Sequence, residues 1–196
     1  MKLHYSAGSP FVRKVSVVAL HHGISLDRVS TNPHVSPPDL LVDNPLSKVP
    51  ALVLDDGMTL PDSALICEYL DSIGTAAKLF PAAGAARWEA LRLAALAEGI
   101  MTAAVLRRGL STQPPEEARA TAIARQKAAV FRTLDQLENE ALPTAFNIGV
   151  VGLVCALGYL DFRFGDDDWR AGHPKLAAFF AAQSKNVFFA QTVPQG

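Results

Sequence analysis

Hydrophobic periodicity changes once along this chain, and that change decides what the chain can fold into. Up to Gly74, short strand-like runs alternate with helical stretches. Beyond it no strand pattern recurs, and the sequence turns rich in Ala, Leu, Glu and Arg. With 196 residues, 49% of them hydrophobic, there is enough chain for one domain or two small ones, each with a packed core. The order of patterns points to an α/β domain followed by an all-α domain.

In the first part, residues 2–6 and 26–31 read as strands. Between them a helix over 10–22 is entered by Ser9 at the cap and Pro10 at the first helical position, and left at Gly23. Strand, helix and strand in that order imply a parallel pair with a right-handed crossover. Ser36-Pro37-Pro38 then caps a short helix over 39–42. Asp55-Asp56-Gly57 joins strands 51–54 and 58–60 as a hairpin, and a helix over 63–73 stops at Gly74. The order β-α-β-α-β-β-α is that of a thioredoxin-like domain, spanning 1–75.

Residues 76–86, small and polar with Pro81, read as a linker into an all-helical domain over 87–196. Long helices are expected over 87–108 and 116–140, the second opened by Pro114-Pro115. The run 148–160 has almost no polar face, so its helix should be buried on all sides. His173-Pro174 opens a shorter helix over 175–184.

Val49-Pro50 stands directly before the apolar run that begins at Ala51. Proline cannot donate to a sheet ladder, so its place at a strand's first residue needs a positional reason. X-Pro bonds are where a cis peptide costs least, about 0.5–1 kcal/mol above trans. A cis bond here leaves the N–H and C=O of Val49 facing outward, open to an extended peptide laid alongside. An ordinary loop entering a strand is the plainer alternative.

Taken in order, Ser9-Pro10-Phe11-Val12-Arg13-Lys14, Lys48-Val49-Pro50 and Pro61-Asp62-Ser63 resemble the glutathione S-transferase family, in its bacterial branch. The resemblance runs through Gly158-Tyr159-Leu160-Asp161-Phe162-Arg163 to Thr192 and Pro194 near the end. One departure is clear. Where the family begins its buried helix with Ser/Thr-x-x-Asp, this chain has Asn147 at the cap and Val150 in the acid's place. Asn caps as well as Ser, but the reciprocal bond of the capping box is lost.

The resemblance implies glutathione as co-substrate. Val49 before Pro50 would pair with its cysteinyl main chain, and Ser63 at a helix N-terminus with its γ-glutamyl carboxylate. Asp62 would hold the γ-glutamyl ammonium and Lys48 the glycine carboxylate. Plain helix capping by Asp62-Ser63 remains the competing reading. Ser9, at the positive end of the first helix, is implied as the catalytic residue that favours thiolate over thiol; its alternative is a cap on Val12 or Phe11. Tyr5 lies too early for a tyrosine-type mechanism, and Pro10 excludes a protein cysteine beside Ser9. Phe11, Met101, Val105 and Arg108 would line a second-substrate pocket, in a cleft between the two domains. Glu98 matches an acid that reaches the partner subunit's glutathione, with a solvated helix-face charge as its alternative.

The activity implied is transfer of glutathione to a small electrophile. Glutathione-dependent disulfide reduction, or a non-catalytic interaction protein of the stringent-starvation type, are the alternatives. A net charge of −1 gives no electrostatic reason to expect nucleic acid or an anionic membrane as a partner. The apolar run 148–160 is too short to span a bilayer, and the N-terminus has no secretory pattern. Cys67 and Cys155 read as buried small hydrophobes, the five histidines show no ligand spacing, and no metal is expected. A cytoplasmic location is expected, and so is a homodimer burying part of residues 63–110, because the helix over 87–108 carries apolar residues on more than one face.

Overall fold

Four strands form one sheet in the order β2-β1-β3-β4. β1, Lys2–Tyr5, runs parallel to β2, Asp27–Ser30, with Lys2 opposite Asp27 and Tyr5 opposite Ser30. β3, Ala51–Val53, lies antiparallel to β1 on its other side and forms a hairpin with β4, Thr59–Pro61. The hairpin closes through Leu54, whose N–H donates to the Met58 carbonyl at 2.8 Å, with Gly57 at φ 87. β4 extends to Pro61, one residue past the expected end, because an edge strand tolerates a residue without an N–H.

The computed structural model describes residues 1–196 and separates into two compact units, Met1–Pro81 with Phe188–Gly196, and Ala82–Val187. In the first unit α1, Pro10–His21, packs on α3, Ser63–Ile73. Val15, Val18, Ile66, Cys67 and Leu70 from these helices, with Leu3 and Leu52 from the sheet, are each 0% exposed. Burying one such aliphatic side chain is worth about 1.5–3 kcal/mol, so this layer holds the unit together. α2, Pro38–Asp43, packs on β3. Ser36 does not cap it, contrary to the sequence reading. Ser36 instead takes φ 46 and ends a 3-10 turn over Pro33–Val35, and Pro37 precedes α2 with no side-chain cap.

Two ties in this unit bring distant residues together. Arg13, almost buried, donates from Nη2 to the Phe189 carbonyl at 3.3 Å and from Nε to Thr192 Oγ1 at 3.5 Å. Arg13 of the N-terminal motif and Thr192 of the C-terminal one are thus parts of one arrangement. His22 closes α1 and is joined from Nε2 to Asp71 Oδ1 of α3 at 2.9 Å, both side chains buried. The same Asp71 oxygen accepts from the Leu79 N–H at 2.7 Å. A Cβ on Gly74 would lie 2.2 Å from the His22 ring, so only glycine fits there.

The second unit is helical: α4, Gly84–Ser111; α5, Glu117–Glu138; α6, Ile148–Arg163; and α7, Pro174–Gln183. A last short helix, α8, spans Val187–Ala190, and all but its first residue belong to the first unit. α4 starts at Gly84 rather than at the expected Arg87, since Ala85 and Ala86 are strong helix formers. Every residue of α6 from Ile148 to Leu160 is buried, as its unbroken apolar pattern implies. Asn147 Oδ1 accepts from the Val150 N–H at 3.1 Å, so the single-sided cap forms without the missing acid. α6 approaches α4 closely because small residues meet. A Cβ on Gly149 would come within 2.8 Å of the Ala90 carbonyl, and one on Gly152 within 3.2 Å of Ala97 Cβ. Glu138, at the end of α5, accepts from the Lys175 and Leu176 amides at 2.8 and 2.9 Å, capping α7. Cys67 and Cys155 are buried and form no disulfide. No helix is long and apolar enough to cross a membrane.

Candidate functional site

Sheet register gathers three of the expected segments at one end of the first unit. His4 of β1 pairs with Ala51 of β3, and Ala51 pairs with Pro61 of β4. That rung sets the chain leaving β1 toward Ser9, the chain entering β3 through Val49-Pro50, and the chain leaving β4 into Asp62-Ser63 on neighbouring strands, which in a sheet lie about 4.8 Å apart. Three stretches separated widely in sequence therefore open at one end of the sheet.

Each stretch presents unused polar groups. Val49-Pro50 is cis, as the sequence suggested, and neither the N–H nor the carbonyl of Val49 is hydrogen-bonded to the rest of the main chain. Val49 is half-buried, Pro50 buried, and Lys48 beside them exposed. At α3, Asp62 Oδ1 accepts from the Ala64 N–H at 2.7 Å, so the cap belongs to Asp62. Ser63 is 2% exposed and its Oγ has no hydrogen-bond partner. A buried hydroxyl left without a partner costs about 1–3 kcal/mol, and this one sits in the first turn of a helix, among amides that no intrahelical carbonyl satisfies. Asp62 itself takes φ 74 and ψ 135, a region that residues with a Cβ rarely enter and that costs on the order of 1–3 kcal/mol.

Ser9 Oγ accepts from the Val12 N–H at 3.3 Å and caps α1. Sequence reasoning set capping and thiolate stabilisation against each other, but the two use different parts of a hydroxyl. The cap takes a lone pair, and the O–H stays available to donate. Phe11 follows on α1, half-buried.

Lys2, His4, Asp43 and Asn44 were not among the expected site residues. His4, 2% exposed, is joined from Nε2 to Asp43 Oδ2 at 2.8 Å and from Nδ1 to Thr31 Oγ1 at 2.9 Å. The Lys2 ammonium donates to the same Asp43 oxygen at 2.6 Å. Lys2, and then His4, hold the Asp43 carboxyl below its usual pKa. Asn44, 1% exposed, accepts at Oδ1 from the Leu46 N–H at 3.1 Å and donates from Nδ2 to the Lys48 carbonyl at 2.9 Å. Asn before Pro is an Asx-turn signal, and that signal was available in the sequence.

In the second unit, the other expected residues lie along α4: Glu98 half-buried, Met101 fully buried, Val105 half-buried and Arg108 exposed. Arg108 and Arg163 act electrostatically on Tyr159 of α6. Burial raises the Tyr159 hydroxyl above its usual pKa, and the two guanidinium groups oppose that rise.

Comparison with known proteins bears on both halves of the chain. Residues 3–76 match the family model described as glutathione S-transferase, N-terminal domain, and residues 120–182 that described as glutathione S-transferase, C-terminal domain. The uncharacterized GST-like protein YibF of Escherichia coli (strain K12) is 31% identical, over 99% of this chain and 98% of its own. A glutathione transferase family member from Pseudomonas fluorescens Pf-5, solved with bound glutathione, is 40% identical with a TM-score of 0.92, covering 100% of this chain and 99% of that one. A second structure from that organism, with bound S-(propanoic acid)-glutathione, is 39% identical with a TM-score of 0.88 and covers 100% of each chain.

Proposed function

This chain belongs to the glutathione S-transferase family, and from that premise we propose that it binds glutathione and transfers it, as the thiolate, to a small electrophile. The observation that carries this reading is the orphaned, buried Ser63 hydroxyl in the first turn of α3, on the same sheet end as the unpaired Val49 main chain. A γ-glutamyl carboxylate would satisfy that hydroxyl and the free amides around it, and the cysteinyl main chain would pair with the open N–H and carbonyl of Val49. Asp62 would take the γ-glutamyl ammonium and Lys48 the glycine carboxylate. Pro50 shapes the turn that presents Val49.

Ser9 is the catalytic residue in this reading. Its O–H donates to the glutathione sulfur, and the N-terminal end of α1 adds its positive dipole. The proton leaves the thiol for solvent, and the sulfur lone pair forms a carbon–sulfur bond while the electrophile's leaving group departs with its bonding pair. At an activated alkene, the π pair shifts instead to the neighbouring carbon and is protonated from solvent. Either way the product is a thioether. The Pseudomonas fluorescens relative binds S-(propanoic acid)-glutathione, which has that bond, and this favours transfer over disulfide reduction. Phe11, Met101, Val105 and Arg108 are proposed to receive the electrophile, in a role consistent with detoxification. Two buried cysteines without a disulfide fit the reducing cytoplasm.

A homodimer completes the reading, with Glu98 as a contact to the partner subunit's glutathione. Leu65 and Ile73 on α3 and Trp88 on α4 are exposed apolar side chains, of the kind an interface covers. Light scattering at micromolar concentration should give the mass of a dimer, and a monomeric mass removes the role for Glu98. Function itself is tested by glutathione calorimetry followed by a panel of electrophiles and disulfides. Saturable binding with turnover of electrophiles is expected. Absence of glutathione binding, or turnover of disulfides alone, would overturn it.

A further inference from the structure

The orientation of the Val49 N–H traces back to one buried side chain. Asn44 follows the last residue of α2, and its own N–H donates to the Leu40 carbonyl at 2.6 Å. Its position is fixed from the sheet as well, because the neighbouring Asp43 is held by Lys2 and His4 of β1 at 2.6 and 2.8 Å. The Asn44 carbonyl accepts from the Ser47 N–H at 2.9 Å, and its Oδ1 accepts from Leu46. With Oδ1 committed to a donor, the amide nitrogen must face the other way, and there it donates to the Lys48 carbonyl at 2.9 Å.

That last bond matters because the Lys48 carbonyl and the Val49 N–H belong to the same peptide unit. The unit is planar and trans, so its C=O and N–H point in opposite directions. Drawing the Lys48 oxygen inward onto Asn44 therefore turns the Val49 N–H outward, where no group of the main chain meets it. Ser47, at φ 51, lets the chain make this turn, and its hydroxyl is tied to Ser36 Oγ at 2.8 Å.

We propose that Asn44 is a positioning residue for glutathione: through the Lys48 carbonyl it aims the Val49 N–H at the cysteinyl carbonyl of the bound tripeptide. This rests on the reading that this end of the sheet binds glutathione. Asn44 touches no ligand. It sets the direction of the donor that does.

The test is residue-resolved amide hydrogen exchange by NMR on the full chain, with and without saturating reduced glutathione, beside calorimetric titration. Wild type is compared with Asn44→Asp, which keeps the acceptor and sets a carboxylate against the Lys48 carbonyl. Asn44→Ser, small and neutral, serves as the second variant. In the wild type, glutathione should slow exchange at Val49 and at Leu65 in the first turn of α3. In both variants the dissociation constant should rise about tenfold, the effect of one lost or misdirected hydrogen bond. Protection by saturating glutathione should vanish at Val49 and persist at Leu65.

Retained protection at Val49, or unchanged affinity, would overturn the proposal. So would equal loss at both amides with a lowered melting temperature, or failure of both variants to fold, since Asn44 would then be a structural residue only. Wild-type protection at Leu65 without Val49 would also overturn it while leaving glutathione binding intact. No protection and no binding in the wild type would remove the binding reading itself.

Discussion

Replacing Ser63 with alanine should move stability and binding in opposite directions. In the protein without ligand the Ser63 hydroxyl is buried, 2% exposed, and lacks a partner. The helix cap is supplied instead by Asp62 Oδ1, 2.7 Å from the Ala64 N–H. Deleting the hydroxyl therefore loses no bond and relieves a desolvation cost of about 1–3 kcal/mol. Taking the low end, because the α3 entry is also open to water through exposed Asp62 and Ala64, Ser63→Ala should gain about 1 kcal/mol. For a chain of this size that raises Tm by about 2–4 °C. In the complex the same hydroxyl would donate to a charged carboxylate, a bond worth about 1.5–3 kcal/mol. Glutathione affinity should accordingly fall roughly 10- to 150-fold. Thermal melts without ligand and calorimetric titration with glutathione read the two effects separately. A variant that melts lower and binds as wild type would refute the reasoning, for Ser63 would then be part of the cap and not of a carboxylate site.

Ser9→Ala should raise the apparent pKa of bound glutathione by about one to two units, for loss of one charge-assisted bond. Followed by thiolate absorbance, this separates catalysis from capping; the cap bond is long at 3.3 Å, so the stability loss should stay near 0.5–1 kcal/mol. Gly74→Ala should drive the His22 ring from a contact of 2.2 Å and weaken its bond to Asp71, at a cost of about 2–4 kcal/mol by denaturant titration; a near-neutral result would refute that packing. Arg92, chiefly, with Gln136, holds Glu140 down to a pKa of about 2, from 4.5. Because the folded value is the lower one, the stability it confers is complete above about pH 4.5 and is lost as pH falls toward the folded value. Glu140→Gln should flatten that acid limb in melts taken from pH 5 to pH 2, and an unchanged limb would refute the assignment.

Local rules made much of this molecule readable from its sequence. Ser9 and Asn147 each cap a helix through the amide three residues on, and Asp55-Asp56-Gly57 turns the hairpin. The unbroken apolar run of α6 is buried throughout. What stayed hidden depends on partners that only the fold supplies. Arg13 meets Phe189 across 176 residues and His22 meets Asp71 across 49, and no periodicity announces either. Asn44 lay within reach, since its bonds to Leu46 and Lys48 are local. Its consequence for Val49, however, follows from the orientation of a peptide plane, which residue types do not encode. At Asp62-Ser63 the sequence leaves capping and binding entangled, whereas the structure gives the cap bond to Asp62 and none to the Ser63 hydroxyl.

The pKa of the glutathione thiol on the wild-type protein tests the central claim most directly. Spectroscopic titration of the thiolate in the complex compares it with the free thiol, near 8.5. If Ser9 and the α1 N-terminus stabilise the anion, the bound thiol should titrate about one to two units lower, which raises the thiolate share at pH 7 from about 3% to roughly 25–75%. Glutathione that binds but titrates as it does in water would contradict thiolate stabilisation by this protein, and with it transferase catalysis by Ser9.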